Sequence, residues 1–385
     1  MSQPNPGPLA GVRVLDLTSV ILGPMAAQYL GDMGADVIKI EAPEGDVTRG
    51  VGARRSEGMG AMFLANNRNK RSVVLDLKLP RGQAILGGMA RGCDVLLHSI
   101  RTTSATKIGL AYDVLAVHNP RLVYCHVTGF SDRGAYAGRP SYDDIVQALS
   151  GLAMLQTVVA GEPRYVPSII ADKITAVHAA YAIVLALFAR ECTGLGQEVN
   201  VPMLETMVAF NAVEHLAGYV FEPPLGEMGH EPVRLGLRRP FRTLDGWLCV
   251  LPYTDTNWRR FFELAARPDL AADPRFVTQR GRQQNVALGL SELAQQLATR
   301  TSAEWSALLL EADIPFAPVN NLEALLDDPH LASVDFWKLL EHPSEGLLRL
   351  PMNPIEMSGT PPSIRRLPPR LGEHTEEVLR EFGYG

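Results

Sequence analysis

The sequence predicts an α/β protein with a large Rossmann-like domain, built on a parallel sheet, and a smaller α+β domain. Over roughly the first two hundred residues, short runs rich in Val, Ile and Leu alternate with longer helix-like segments. These apolar runs have no polar alternate face, which is typical of strands covered on both sides. Beyond Phe221 the chain becomes rich in Pro, Gly and charged residues, which indicates a connection between domains.

The large domain is predicted to span residues 1–225. Its strand-like runs are, in chain order, VRVLDL, ADVIKIE, RSVVLDL, CDVLLHS and LVYCHVTGF, and PMAAQYLGDMG reads as a helix between the first two. The first βα turn has one glycine, Gly23, where dinucleotide-binding folds need the pattern G-x-G-x-x-G. A nicotinamide-dependent dehydrogenase is therefore disfavoured, although Glu41 ends the second strand where an acid could hold a ribose hydroxyl.

A long apolar run follows one acidic residue, Asp172, and closes at Gly194 and Gly196. Large residues recur in it at spacings of three and four and Ala fills most other positions, so we expect a core helix that is apolar nearly all round. We also expect the run to be too short to span a bilayer. The simplest explanation of Asp172 is capping of the free amides in the first helical turn. A bare carboxylate at the start of a buried helix also suggests a functional role.

The smaller α+β domain is predicted over residues 226–330. It opens on FRTLDGWLCVLPY, in which a D-G turn between two apolar stretches indicates a hairpin. Helices are predicted at about 255–266 and 284–298, and another at TSAEWSALLLEA, where Thr301 and Glu304 have the spacing of a capping box. Residues 331–385 hold further strand-like pieces and a final helix, GEHTEEVLREFG, that we expect to return to the large domain.

Composition excludes several classes of protein. With 385 residues, 46% of them hydrophobic and 20% charged, the chain can bury a sizeable core. A formal charge of −6 makes nucleic acid an improbable partner. The four cysteines are far apart with no C-x-x-C pair, so we expect neither a metal site nor a disulfide framework. The amino-terminal segment has no basic stretch followed by an apolar one, so we expect a cytoplasmic protein without a membrane anchor.

Residues 49–78 carry an excess of positive charge inside this acidic protein. A solvated basic loop is one interpretation, and a set of phosphate donors for a multiply phosphorylated ligand is the other. The basic residues are Arg49, Arg54, Arg55, Arg68, Lys70, Arg71 and Lys78, against the acids Glu57 and Asp76.

Several stretches, in their order and spacing, resemble the class III CoA-transferases, and the resemblance covers nearly the whole chain. That family includes formyl-CoA:oxalate and carnitine CoA-transferases, and α-methylacyl-CoA racemase is a relative. The matching stretches are VRVLDLTSVILGP, GADVIKIEAPEGD, NNRNKRSVVLDLK, HVTGFSDRGAYAGRPSYDDIVQALSGL, the Asp172 helix with its R-x-x-TG-x-GQ-x-V end, TSAEWSALLLEADIPFAPVNNL and LGEHTEEVL.

The resemblance implies that Asp172 is the nucleophile of a CoA-transferase. Its carboxylate would attack a donor acyl-CoA to form a mixed anhydride, and the released thiolate would convert this to an aspartyl-CoA thioester. With a reference pKa of about 3.9 the residue would be ionised at neutral pH without help, and backbone amides at a helix start would stabilise the oxyanions. Acyl-CoA would be a substrate, with no tightly bound cofactor.

The resemblance also implies roles for six other residues and an interlocked homodimer. Lys107 stands where the family usually has an Arg, which keeps the charge and loses the bidentate fork. The positions that match CoA contacts are Val20, Leu75, Lys78 and Lys107, and those beside the acyl group are Tyr142 and Asp143.

Two alternatives remain open at this point. The racemase uses a His followed by an acid, but here the segment reads PSYDD, with Tyr142 at the position of the base. Tyrosine, with a reference pKa of about 10, is a poor base for that reaction, and we expect His126 and His178 nearby in sequence to be structural. A CoA-binding protein without catalysis would bind CoA with no dependence of its function on Asp172.

Overall fold

The computed structural model describes residues 7–384, which divide into two compact units. The larger unit comprises residues 7–156, 163–213 and 333–384. The smaller unit comprises residues 157–162 and 214–332.

A parallel sheet forms the centre of the larger unit and confirms the predicted α/β class. Its strand order is β3-β2-β1-β4-β5-β6, and all five neighbouring pairs are parallel. The order reverses direction between β1 and β4, which in open α/β sheets marks a crevice at the carboxyl ends of the strands. The strands are β1 (Arg13–Leu17), β2 (Asp36–Glu41), β3 (Lys70–Val74), β4 (Val95–His98), β5 (Val123–Thr128) and β6 (Gln197–Pro202).

Helices cover both faces of this sheet, which explains why its strands lack a polar face. On one face Val14 and Val95 pack with residues of α1 and α9; on the other, Leu15 and Ile38 pack with residues of α3, α5 and α19. The α-helices of this part of the chain are α1 (Leu22–Asp32), α2 (Ala61–Asn66), α3 (Pro80–Arg91), α4 (Thr102–Lys107), α5 (Tyr112–His118), α6 (Asp143–Leu149), α7 (Leu152–Leu155), α8 (Thr157–Ala160), α9 (Ile170–Thr193) and α10 (Met203–His215), with α19 (Thr375–Glu381) near the carboxyl end.

Helix α9 is covered on one side only within this chain, so the prediction of burial all round is wrong. Its small residues pack inward among the core residues, Ala176 and Ala179 among them, because they allow α9 to approach α1 and the sheet closely. The large residues at the regular spacing point outward, and Tyr181 and Phe188 are 62% and 69% exposed. The helix ends at Gly194, whose φ of 80° suits a residue without a side chain.

The length of α9 also corrects a second expectation. Its 24 residues make it long and apolar enough, by length and composition alone, to cross a membrane. Core helices of soluble proteins meet the same criterion.

The smaller unit has its own core and contains the predicted hairpin and capping box. Strands β7 (Phe241–Arg242), β8 (Trp247–Val250) and β9 (Phe316–Pro318) form an antiparallel sheet. Thr301 and Glu304 bond reciprocally at the start of a helix that carries the buried Trp305. The helices are α11 (Glu231–Arg234), α12 (Asp255–Leu264), α13 (Pro268–Ala271), α14 (Pro274–Val277), α15 (Gln279–Gln284), α16 (Val286–Leu297), α17 (Ser302–Glu311) and, reaching its end, α18 (Pro329–Ser333).

The chain then returns to the larger unit. An antiparallel hairpin of β10 (Trp337–His342) and β11 (Gly346–Pro351) comes first. Helix α19 follows and packs Val378 in the core among residues of the sheet. Short 3₁₀ segments occur at Val47–Gly50, Ala217–Val220 and Glu323–Leu326.

Candidate active site

Two neighbouring cavities open at the carboxyl ends of the parallel strands. The first, of about 270 Å³, contains Asp172 in its lining; we call it the acid cavity. The second, of about 400 Å³, lies over the ends of β1 and β2 and is lined mainly by apolar side chains; we call it the apolar cavity. Ser19, in the loop after β1, lines both. Both therefore lie at the topological switch point, where α/β sheets bind their ligands.

Asp172 is the third residue of α9 and does not cap it, so the capping interpretation is wrong. The capping position is Ile169, which makes no side-chain hydrogen bond to the helix. The carboxylate of Asp172 instead accepts a hydrogen bond from the backbone amide of Leu22, the first residue of α1. Its own backbone amide donates to Asp143 Oδ2 at 3.1 Å. The acid therefore faces the amino-terminal end of a different helix, where orphan amides and the helix dipole favour negative charge.

The protonation of Asp172 differs from the sequence-based expectation of an ordinary acid. Burial raises the pKa of this carboxyl to about 7, the negative charge of Asp143 adds to the increase, and the Leu22 amide partly opposes it. Desolvation dominates because the residue is only 8% exposed. A substantial protonated fraction is therefore present at neutral pH, and the expectation of full ionisation without help is wrong.

The loop that leads into α1 has a constrained shape. Val20 adopts φ 70°, in the left-handed region that a β-branched residue rarely occupies. A side chain at Gly23 would lie 2.2 Å from the Cβ atom of Thr18, so the loop folds closely on itself there. The single glycine of the first βα turn thus permits a tight loop that presents the Leu22 amide, in place of a pyrophosphate cradle.

The residues matched to CoA contacts are distributed over both cavities. Leu75 and the exposed Lys78 line the apolar cavity, and Val20 lines the acid cavity. Lys107 lines neither; it is exposed at the end of α4, beside Ile108, which lines the apolar cavity.

The pair matched to acyl contacts lies near Asp172. Tyr142 precedes α6 and lines the acid cavity with 70% of its surface exposed. Asp143 is buried and contacts the backbone of Asp172 as described above. Its Oδ1 accepts a hydrogen bond from Gln147 Nε2 at 2.5 Å, so the carboxylate is held in place from both sides.

Both interpretations of the basic segment 49–78 are wrong for its buried members. Arg49, Arg68 and Lys70 lie 2.7–2.9 Å from Glu41, Asp32 and Asp16 respectively, with nearly no exposed surface. Arg71 pairs with Asp36, Glu377 and Glu381. Arg49, Arg68 and Lys70 thus neutralise buried acids, whereas the acids paired with Arg71 are partly exposed. The pairing of Glu41 with Arg49 also removes Glu41 as a free ribose acceptor.

Two arginines of the acid cavity were missed by the sequence argument. Arg101 and Arg139 both line it, and neither guanidinium has an ion-pair partner within residues 7–384. Arg139 stacks on Tyr136, with its guanidinium carbon 4.3 Å from the ring centroid. Arg101 follows β4 and Arg139 lies in the segment after β5. Because segments that follow neighbouring parallel strands meet at the same edge of the sheet, both arginines could have been predicted to lie near the site.

Comparison with known proteins gives matches over nearly the whole chain. The sequence profile of the family described as CoA-transferase family III matches residues 9–375. Succinate–glutarate CoA-transferase of Agrobacterium fabrum is 34% identical, over 97% of this chain and 96% of that protein. Succinyl-CoA:mesaconate CoA-transferase of Haloarcula hispanica is also 34% identical, over 98% and 97% of the two chains.

Solved structures agree with these sequence matches. A CAIB/BAIF family protein from Brucella suis superposes with a TM-score of 0.83 at 28% identity, over 98% of this chain and 100% of that one. The hypothetical protein Rv3272 from Mycobacterium tuberculosis superposes with a TM-score of 0.84 at 30% identity, over 97% and 99%.

The burial of Asp172 predicts a pH-dependent cost in stability. The folded-state pKa of about 7 lies above the ordinary value of 3.8, so the folded protein loses stability as the pH rises between these values. We expect Asp172→Asn to increase the free energy of unfolding at pH 8 by on the order of 2–4 kcal/mol and to change it little at pH 4. Denaturant unfolding at both pH values measures this. Asp144→Asn, at an exposed position of α6, is the control and should have little effect at either pH. Equal stabilities of Asp172→Asn and the parent at pH 8 would contradict the assignment.

Proposed function

The chain belongs to CoA-transferase family III, and on this premise we propose that it transfers CoA from an acyl-CoA donor to a carboxylic acid through covalent intermediates on Asp172. The supporting observation is the position of this one carboxylate. It lies in a cavity at the switch point of the sheet, is desolvated by burial, and receives an amide hydrogen bond from the start of α1.

The proposed cycle needs no base. A carboxylate oxygen of Asp172 attacks the thioester carbonyl of the donor, and CoA leaves as a thiolate, giving a mixed anhydride. The thiolate then attacks the aspartyl carbonyl, which releases the donor acid and forms an aspartyl-CoA thioester. The acceptor carboxylate attacks that thioester to form a second anhydride, and the thiolate finally attacks the acceptor acyl carbon and frees Asp172. Each step exchanges one carboxylate or thiolate for another, so the successive intermediates remain close in free energy.

The proposed cycle needs a reactive carboxylate and a hydrogen-bond donor for the oxyanion, and the environment of Asp172 suits both. Burial removes water from the carboxylate and raises the free energy of its charged form, which favours attack. The Leu22 amide, directed at the same group, can donate to the oxyanion that forms when the aspartyl carbonyl is attacked.

The two cavities suit the two parts of an acyl-CoA. We propose that the acyl thioester occupies the acid cavity and that the pantetheine arm crosses Ser19 into the apolar cavity, where Leu75 lies. Lys78, at the exposed edge of the apolar cavity, is then a phosphate contact, and Lys107 is a second one nearby. Tyr142 borders the acyl group and Asp143 holds the backbone of the nucleophile.

The relatives' names suggest dicarboxylates as substrates, since they act on succinate and glutarate or on mesaconate. The acid cavity fits such a substrate because Arg101 and Arg139 are unpaired cations in the lining that it shares with Asp172. We propose that one carboxylate of the acceptor reacts at Asp172 while the other is held by these arginines.

A racemase is less well supported. No histidine is present in the lining of either cavity within residues 7–384. His126 is buried, with its ring stacked on His98 at 4.3 Å, and His178 is exposed on α9.

We further propose that the exposed apolar side of α9 is covered by a second copy of the chain. This surface comprises Val177, Tyr181, Leu185 and Phe188, each at least 47% exposed, and Phe210 and Val213 of α10 are also exposed. Large exposed apolar patches of this kind mark interfaces.

Covalent trapping tests the nucleophile. We expect succinyl-CoA followed by hydroxylamine to leave a hydroxamate on Asp172, located by peptide mass spectrometry, because hydroxylamine intercepts an activated aspartyl carbonyl. The variant Asp172→Asn should lose the label and about three orders of magnitude or more in turnover, while Asp144→Asn keeps both.

The pH profile is a second test of the nucleophile. Because the ionised acid attacks, kcat/KM should fall as the pH drops below about 7. Label on another residue, or normal turnover by Asp172→Asn, would contradict the proposal.

Substitution of Arg139 tests the second carboxylate. We expect Arg139→Leu to raise the KM for glutarate about 10- to 100-fold, the loss expected for a charge-assisted hydrogen bond, with little change for the monocarboxylate butyrate. Arg133→Leu, at an exposed position of the same segment outside the cavity lining, is the matched control. An equal change in KM for both acids would argue against a distal carboxylate contact.

Solution mass tests the second copy. We expect the parent protein to sediment as a dimer. The double variant Tyr181→Glu/Phe188→Glu should weaken that dimer strongly, because each chain would bring two charges into the interface and both would lose their hydration there. The control Val117→Glu alters an apolar residue of α5 that is 78% exposed and away from this surface. A parent protein that sediments as a monomer at micromolar concentration would refute the assignment.

A further inference from the structure

Two lysines lie inside the strands of the large sheet with no exposed surface. Lys39, in β2, donates from Nζ to the carbonyl oxygen of Thr18 at 2.8 Å. Lys70, in β3, donates to the carbonyl oxygen of Pro24 at 2.8 Å. Each lysine therefore forms a hydrogen bond to the backbone at one end of the segment 18–24, which connects β1 to α1.

Asp46 holds the middle of the same segment. It forms an ion pair with Lys39 at 2.9 Å, and both side chains are almost fully buried. Its other oxygen, Oδ1, accepts a hydrogen bond from the Val20 amide at 3.3 Å and also bonds Thr48. Val20 is the residue in the left-handed region, so this contact holds the loop at its most strained point.

The held segment leads directly to Asp172. Asn66 Nδ2 donates to the carbonyl oxygen of Ile21 at 3.1 Å, and the next residue, Leu22, supplies the amide that bonds the Asp172 carboxylate. Buried side chains thus hold backbone atoms of Thr18, Val20, Ile21 and Pro24, on both sides of that amide. A hydrogen-bond donor aids an oxyanion only when its direction is fixed before the reaction.

From these contacts we propose that Lys39 is a positioning residue for the acyl transfer. Through the Thr18 carbonyl and through Asp46 it fixes the strained loop 18–21, so that the Leu22 amide points at Asp172. This inference rests on the proposed function, because it assumes that Asp172 carries the intermediates.

A purely structural role is the competing explanation, and the buried ion pair makes the two distinguishable. Removal of one partner of such a pair leaves an unpaired buried charge and destabilises a protein, whereas removal of both is often tolerated. The double variant Lys39→Met/Asp46→Asn keeps side chains of similar length and leaves the net charge unchanged. It loses the Lys39 hydrogen bond to Thr18 whatever its stability.

The experiment compares the parent, Lys39→Met, the double variant and a matched control, with succinyl-CoA and glutarate as substrates. The control is Arg68→Met/Asp32→Asn, which removes a buried pair at 2.7 Å at the opposite end of α1. Thermal unfolding, kcat and the KM for succinyl-CoA are measured for each. Asp172→Asn is assayed first: if it turns over normally, the proposed function fails and this inference fails with it.

With Asp172 established, we expect the Lys39/Asp46 double variant to be more stable than Lys39→Met, yet with kcat reduced about 10- to 100-fold at a nearly unchanged KM. The control should keep the kcat of the parent. Recovery of kcat together with stability in the double variant, or an equal loss of kcat in the control, overturns the proposal. If Lys39→Met does not fold, comparison of the double variant with the control still decides between the two roles.

Discussion

The pairing of buried charges within β1–β3 and the loop after β2 is the constraint on which the rest of the site depends. A lysine in the middle of an apolar sheet is costly to desolvate and is tolerated only beside acids. Burial opposes the charge on Lys39, yet Asp16 and Asp46 outweigh it and raise the pKa of this lysine. Burial prevails at Lys70, whose pKa falls to about 8 although Asp16 lies beside it. Because these groups pair with one another and also bond backbone atoms of Thr18, Val20 and Pro24, they constrain the segment between β1 and α1.

In the proposed mechanism, burial of Asp172 has opposite effects on its reactivity and on its ionisation. Desolvation makes a carboxylate more reactive but also favours its protonated form, and Asp143 pushes in the same direction. The Leu22 amide partly restores the charged form. Sites that bind and activate a charged group commonly sacrifice stability in this way.

The apolar runs predicted the parallel sheet because strands covered on both faces need no polar residues, and the capping box at Thr301 and the D-G hairpin were predicted from local patterns. Contacts between distant segments were not predictable. Arg68 and Lys70 are paired by acids that lie 36 and 54 residues away in the chain. The partner of Asp172 is a backbone amide, and the residue type at that position gives no indication of the contact. The outward face of α9 was misjudged because periodicity marks which residues share a face, and it does not say which face is covered.

The separation of the site in the chain has a consequence for biosynthesis. The amide of Leu22 leaves the ribosome about 150 residues before Asp172, and α9 directly precedes β6, the edge strand of the sheet. The loop and its buried lysines all lie within the first 70 or so residues, so the receiving half of the site can form from an early portion of the nascent chain. Asp172 is synthesised only just before β6, the last strand of the sheet. A truncated product that stops before α9 can therefore form the loop between β1 and α1 but lacks the carboxylate that the Leu22 amide bonds.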